Sequence, residues 1–379
     1  MTSVSPGDRP KLPVTFPLKP TTADEAQAMN DRLVAAIAHH LPGAAQFTAD
    51  AGVVPGLGRP RTTAAVEEVL AEFFDSEAAA LVQGAGTGSL RAAFAAGPWR
   101  DGRAVWAHDA PDYSTTANTF AEAGVEPRRV DANDITSLRR SLYDPEGPRW
   151  LHLQHSRQVL TDSYDLAAVI DVARECGVRT IIDDNYAAIR CPKIGIQLGA
   201  DVSAFSLFKL HGPEGIGVVL GRHDIVDTVR RANYSGGGQV QGHPALEALR
   251  ALVMVPLNYA YQAEVAGEVH NRLADGEVPG IVDARIANVQ DRCVIALLDR
   301  PEAQHLPGAA AKFGAIAYPV GSNSRYEMTP LVYRLSKAAL AGQPELADWA
   351  VRINPMRAGA DLVIDILAKA LSSLSGKGL

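Results

Sequence analysis

The 379-residue chain predicts an α/β fold, a seven-stranded and mostly parallel sheet flanked by helices, with a smaller α+β domain following it. Three observations carry this reading. Short β-branched runs alternate with amphipathic stretches from residue 61 to 222, as strand–helix–strand units require. A long helical stretch, HPALEALRALVMVPLNYAYQAEVAGEVHNRLADG, comes after residue 242. The remainder mixes strand-like and helical patterns and ends in DLVIDILAKAL.

The strands are expected at AAALVQ (78–83), AVWA (104–107), EPRRV (126–130), RWLHL (149–153), RTIID (179–183), DVSAF (201–205) and IGVVL (216–220). Between the fourth and fifth lies DLAAVIDVARECG, the clearest helix. Asp165 can accept from its first-turn amides, Leu166, Val169, Ile170 and Ala173 share one face, and Gly177 can adopt the left-handed conformation that ends it. The expected organisation is an N-terminal arm with part of the small domain over 1–60 and a large domain over 61–241. An interdomain helix over 242–275 and a small C-terminal domain over 276–379 complete it.

Composition narrows the function classes. With 47% hydrophobic and 21% charged residues and no apolar run long enough to span a bilayer, no membrane role is expected. A net charge of −7 without a basic block argues against nucleic acid. The Pro-rich start, MTSVSPGDRPKLPVTFPLKP, lacks the apolar core of a secretory signal, so a cytoplasmic location is expected. Cys176, Cys191 and Cys293 are scattered without a CxxC pair, the pattern of neither a disulfide framework nor a zinc site.

Four segments carry chemistry, each at or just after the C-terminal end of an expected strand, where open α/β sheets hold their ligands. In QGAGTGSLRAAF, Gly84, Gly86 and Gly88 lead into a helix whose free amides suit a phosphate; the plain alternative is a tight turn. In DAPDYSTTANTF, Tyr113 can stack on a planar ring for roughly 1 kcal/mol, or simply pack its own loop. IIDDNYA ends an apolar strand with Asp183 and Asp184. A buried Asp keeps a heteroaromatic nitrogen protonated, and no His or further carboxylate follows nearby to favour a metal. FSLFKLHGPEGIG sets Lys209 between Phe208 and Leu210 after another apolar strand, where a charged amine is costly and imine formation with a carbonyl is favoured.

In this order the motifs resemble fold-type I enzymes that use pyridoxal 5'-phosphate (PLP), the superfamily of aspartate aminotransferase, cystathionine lyases and class V aminotransferases. The likeness covers residues 60–370. It is closer still to a bacterial group of aminotransferase-like proteins carrying VQGAGTG, DDNYA, FKL-GPEG and YSGG-Q-QG. The resemblance implies a PLP-dependent transferase fold of type I. It also implies that Gly86, Thr87, Gly88 and Ser206 hold the phosphate, Tyr113 stacks on the ring, Asp183 pairs with its nitrogen and Tyr186 reaches its hydroxyl. Lys209 becomes the imine lysine and the acid–base group at the substrate Cα. Arg352 in VRINPMRAG grips the substrate carboxylate, with Arg334 in YRLS as its rival. In relatives, segments such as YSGGGQVQG and GRPRTT cross to the neighbouring subunit. This implies a homodimer or dimer of dimers completed by Ser235, Gln239 and Arg61, although Arg61 equally fits a plain helix start.

Two departures leave the reaction open. The N-P-x-G turn of many aminotransferases is replaced by QHSRQ, so Gln154, His155 or Ser156 must stand in for the usual Asn donor, and His155 is the residue expected against the cofactor. The lyase pattern S-x-T-K is also absent, yet Tyr113 with Thr116 matches the lyases' Y-x-x-T. Transamination of an amino acid is the first expectation. Elimination of a β or γ substituent, or racemisation, is the second, and a non-catalytic PLP-binding protein the third.

Overall fold

A computed structural model describes residues 9–97, 104–234, 238–318 and 323–376. The chain forms two compact units. The larger comprises Thr21–Ser156 and Tyr164–Leu257; the smaller takes the residues up to Pro20, Arg157–Ser163 and everything from Asn258 on.

In the larger unit two helices, α1 (Ala23–His40) and α2 (Arg61–Phe73), precede the sheet. The strands are β1 (Ala78–Gln83), β2 (Ala104–His108), β3 (Glu126–Val130), β4 (Trp150–Gln154), β5 (Arg179–Asp183), β6 (Val202–Ser206) and β7 (Ile216–Gly221). Helices α3 (Ala85–Ala96), α4 (Ser114–Ala123), α5 (Ile135–Leu142), α6 (Leu166–Glu175), α7 (His223–Ala232) and α8 (Gly242–Leu252) alternate with them or follow. The sheet order is β1-β7-β6-β5-β4-β2-β3. Every neighbouring pair is parallel except those of β7, which runs antiparallel to both β1 and β6. Each expected strand is present within about one residue; most are short apolar runs buried on both faces, which leaves little freedom of register, whereas β3 at the sheet edge is largely exposed.

Two buried clusters, one on Phe94 and Phe120 and the other on Leu151, Ile170 and Ile182, fill the space between sheet and helices. Helix α6 starts as its sequence demands: the Asp165 carboxylate accepts from the amides of Ala167 and Ala168, and Gly177 follows at φ 68°.

The expected domain limits shift in two places. Residues 21–60 fold with the sheet, where the Asp50 carboxylate accepts from the amides of Arg61 and Thr62 and caps α2, a task that Pro60 at the cap position cannot perform. The long helical stretch after residue 242 is two helices, α8 and α9 (Val255–Ala274), broken ahead of Pro256. Proline lacks the N–H that would continue the ladder, so it starts the second helix instead.

The smaller unit holds a four-stranded antiparallel sheet, β8 (Ile281–Val289), β9 (Asp291–Leu298), β10 (Leu331–Arg334) and β11 (Ala350–Asn354), in the order β10-β11-β9-β8. Helices α10 (Leu306–Ala311), α11 (Leu346–Trp349) and α12 (Ala360–Leu374) complete it, and Val363, Ile366 and Leu367 of α12 bury against strand residues such as Val294 and Ile353.

Candidate active site

The N-terminus of α3 is the first part of the site. Gly84 caps it at φ 93°, no side chain closes it, and the Gly84 and Ala85 amides donate to Gly215 O, in the loop just before β7. Helix and sheet meet closely here. A Cβ at Gly217 would lie 2.0 Å from Ser89 Oγ, and one at Gly86 would lie 2.4 Å from Asn185 Oδ1, so neither position has room for a side chain. An uncapped, glycine-lined helix start presents amides and a positive end to an anion.

The end of β5 sorts its two carboxylates by strand alternation. Asp184, fully buried, has His155 Nδ1 at 2.7 Å and accepts from the Gly195 amide on both oxygens, so it is spent on structure. Asp183, 5% exposed, faces the other way. Its Oδ1 accepts from the amide and side-chain nitrogen of Asn185 at 2.9 and 2.8 Å, and Gln154 Nε2 stands 3.4 Å from its Oδ2. Asn185 Oδ1 in turn accepts from the Ser206 amide at 3.0 Å. One asparagine therefore links the ends of β5 and β6 to the start of α3.

Lys209 sits in a 3-10 turn, Phe208–Leu210, between β6 and β7. Its amide approaches Ser206 Oγ at 3.4 Å, and its Nζ lies 3.6 Å from the centroid of the Tyr186 ring. Arg190 Nη2 donates to Lys209 O at 3.0 Å. Ala85, Tyr186, Ile189 and His211 all hold positive φ around this cluster, a conformation disfavoured for such residues that persists where packing enforces it.

The other expected positions are distributed as follows. Tyr113, half-buried, is the residue before α4, and the Thr116 hydroxyl one turn on is buried without a hydrogen-bond partner. His155 is held by Asp184. Gln239 donates to Gly58 O at 2.6 Å, while its Oε1 is buried without a hydrogen-bond partner. Arg61 is exposed at the start of α2, its amide engaged by Asp50. Ser235 lies outside the described residues.

In the smaller unit Arg352 is 3% exposed and Asp291 1%, with Arg352 Nη2 2.5 Å from Asp291 Oδ1. Asp291 also accepts from Asn323 and Asn354 at 2.7 Å each and from Tyr333 at 3.3 Å. Burial acts to lower the pKa of Arg352, but Tyr333 and Asp291 outweigh it and hold the guanidinium firmly protonated. Burial likewise pushes the adjacent Cys293 thiol up to about 12. Register places Tyr333 opposite Arg352 and Arg334 opposite Val351, so the two arginines leave the sheet on opposite faces. Arg334 is exposed and makes no ion pair among the described residues.

Sequence reasoning missed Asn185, Arg190 and Asp291. Asn185 lies inside the DDNYA motif, where the two aspartates and Tyr186 carry the stronger chemical signal. Nothing in the chain around Asp291 marked it, because its donors come from three separate segments.

The donor set fits PLP. Gly86 and Thr87 lie at the uncapped start of α3, Asp183 and Ser206 at the ends of β5 and β6, and Lys209 in the turn after β6, all in one unit. Fold and site together define a fold-type I PLP-dependent enzyme. The class V aminotransferase model matches residues 125–248, and the model of the YhfS-like C-terminal domain matches residues 267–367. The protein YhfS of Escherichia coli (strain K12) is 44% identical over 361 residues, covering 95% of this chain and 99% of YhfS. The chain belongs to the YhfS family. The crystal structure of E. coli YhfS, described as a pyridoxal-5'-phosphate dependent protein, superposes with a TM-score of 0.91 over 95% of this chain and 99% of that one. A cysteine desulfurase of Klebsiella pneumoniae is 28% identical over 216 residues, 56% of this chain and 52% of that protein. A carbon–sulfur lyase of Clostridium novyi shares the fold with a TM-score of 0.70 at 16% identity, covering 93% and 91% of the two chains.

Proposed function

We propose that the protein binds PLP in the larger unit and uses it to break a bond at Cα of an amino acid, with transamination as the reaction. The observation that carries this is Lys209 Nζ, 3.6 Å from the Tyr186 ring centroid in the turn that follows β6, with the Asp183 carboxylate at the end of the adjacent strand. PLP supplies an electron sink for the pair left when the Cα bond breaks. The protein supplies the rest. The amides of Gly86 and Thr87 and the Ser206 hydroxyl bind the phosphate, Asp183 holds a proton on the ring nitrogen, and Lys209 takes the Cα proton and returns it. Tyr113 shields one face of the ring, Tyr186 donates to the ring oxygen, and His155 steadies the same wall from its place on Asp184.

A second reading is β or γ elimination. Two features favour it: Arg352 is engaged by Asp291, and Arg334 of the YRLS segment is exposed on the other face of the sheet. The test is to mix purified yellow protein with single amino acids and no keto acid. Transamination converts the bound cofactor to its amine form and releases one keto acid per chain. Elimination releases ammonia over many turnovers and leaves the colour. Loss of neither bond with any amino acid overturns both readings.

We further propose a homodimer, or a dimer of dimers, in which Ser235, Gln239 and Arg61 serve the neighbouring subunit's site. The unpartnered Gln239 Oε1 supports it. A fully active monomer in light scattering at assay concentration rules it out.

A further inference from the structure

The C-terminal turn of α1 and the last turns of α2 bring three ligating side chains together. His39 Nδ1 and His40 Nε2 lie 2.9 and 2.8 Å from one and the same atom, Glu72 Oε2, and all three donor atoms fall within 4.8 Å of one another. Adjacent helix residues diverge by about 100°, yet here the two imidazoles converge, with ring centroids 4.3 Å apart. We propose that His39, His40 and Glu72 form a surface site for a divalent first-row metal ion, of which Zn2+ is the type.

The chemistry is specific to that class. Two imidazoles and one carboxylate are the ligands of borderline ions, whereas Mg2+ and Ca2+ prefer all-oxygen shells. Tetrahedral bonds of about 2.1 Å place neighbouring ligand atoms roughly 3.4 Å apart, so the two imidazole–carboxylate edges need to open by about half an ångström, and the third already lies within 4.8 Å. His39 and His40 occupy the last turn of α1, where the negative end of the helix dipole favours a cation. Arg32 on the same helix does not compete, because its guanidinium is committed to Phe73 O and Asp75. His39 and Glu72 are exposed, which gives the ion an entry path and leaves its remaining positions to water. The bound ion pins the C-terminal end of α1 to the C-terminal end of α2. Spacing along the chain hides the site, since Glu72 joins the histidine pair only when the two helices pack.

Isothermal titration of Zn2+ into the PLP-loaded protein tests this independently of catalysis. The chain has 10 histidines, so the comparison with variants is decisive. The wild type should take one Zn2+ per chain at this site, and both Glu72→Gln and His40→Ala should weaken that binding by about tenfold or more. Glu72→Gln keeps the shape of the side chain and serves on its own if circular dichroism shows that His40→Ala disturbs α1. Absence of Zn2+ uptake by the wild type, or unchanged uptake by Glu72→Gln, overturns the proposal.

Discussion

Arg352 and Asp291 form an ion pair 2.5 Å long in the interior of the smaller unit, on adjacent strands β11 and β9. The carboxylate collects Asn323, Asn354 and Tyr333 as further donors, so its charge is shared over four side chains. Removing one member of such a pair leaves the other charge buried and unsatisfied. Asp291→Ala should therefore destabilise the protein by about 3–5 kcal/mol, read from urea unfolding followed by circular dichroism. A loss under about 1 kcal/mol would place the pair among ordinary surface contacts.

The contact of Lys209 with the Tyr186 ring leads to a chemical prediction. Borohydride reduction of the yellow protein followed by peptide mapping should mark Lys209, and Lys209→Ala should leave added PLP with the spectrum of its free aldehyde, without the imine band. A mark on any other lysine contradicts the assignment.

Asp183 and Asp184 are adjacent in sequence but differ in their partners, and their substitutions should fail in different ways. Asp184→Asn removes the charge beside His155 and the Gly195 amide and should cost stability, about 1–3 kcal/mol, with modest effect on the cofactor. Asp183→Asn should leave stability close to wild type and shift the visible spectrum of bound PLP while cutting activity. The reverse pairing of effects would mean that the ring nitrogen meets Asp184.

How much of this was legible beforehand differs by element. The β5 strand and helix α6 could be placed to about a residue, since RTIID and the Asp165 cap act locally. That the two aspartates at the end of β5 face opposite ways was also readable, because alternation is a local rule. Asp291 could not be read, because a carboxylate acquires meaning from Asn323, Tyr333, Arg352 and Asn354 only after the strands pair. Residues 21–60 were misplaced for the same reason: Asp50 caps α2 from outside the helix, across a loop that the pattern of apolar residues does not predict. The histidine pair of α1 carries no signal until α2 lies beside it.

Asp50 also sets a pH dependence. Partial burial pushes its carboxyl up, but the amides of Thr62 and Arg61 pull it further down, and the net folded value lies below the ordinary one. A depressed folded pKa contributes stability that is present above the unfolded value and is lost as pH falls through the folded one. Asp50→Ala should destabilise α2 by about 1 kcal/mol at neutral pH, and the gap between variant and wild type should close as pH drops below the usual carboxylate range. A gap that persists unchanged at low pH would show that the carboxylate's charge plays no part.

The last prediction concerns which arginine meets the substrate carboxylate. Asp291 occupies Nη2 of Arg352, yet Nε of the same guanidinium is buried without a hydrogen-bond partner. We propose that Arg352 meets the substrate carboxylate, with Asp291 fixing the plane in which its remaining hydrogens point. Lysine cannot reproduce that geometry. Arg352→Lys should keep the yellow colour and lose about 30-fold to 1,000-fold in kcat/KM toward amino acids, corresponding to roughly 2–4 kcal/mol of transition-state binding. Amines without a carboxylate should be little affected, which separates lost recognition from lost folding. Arg334, exposed on the opposite face of the sheet, should tolerate the same change. If Arg334→Lys shows the selective loss and Arg352→Lys only the instability expected of a broken buried pair, the carboxylate belongs to the YRLS segment. Arg352 then serves the fold alone, and elimination replaces transamination as the better-supported reaction.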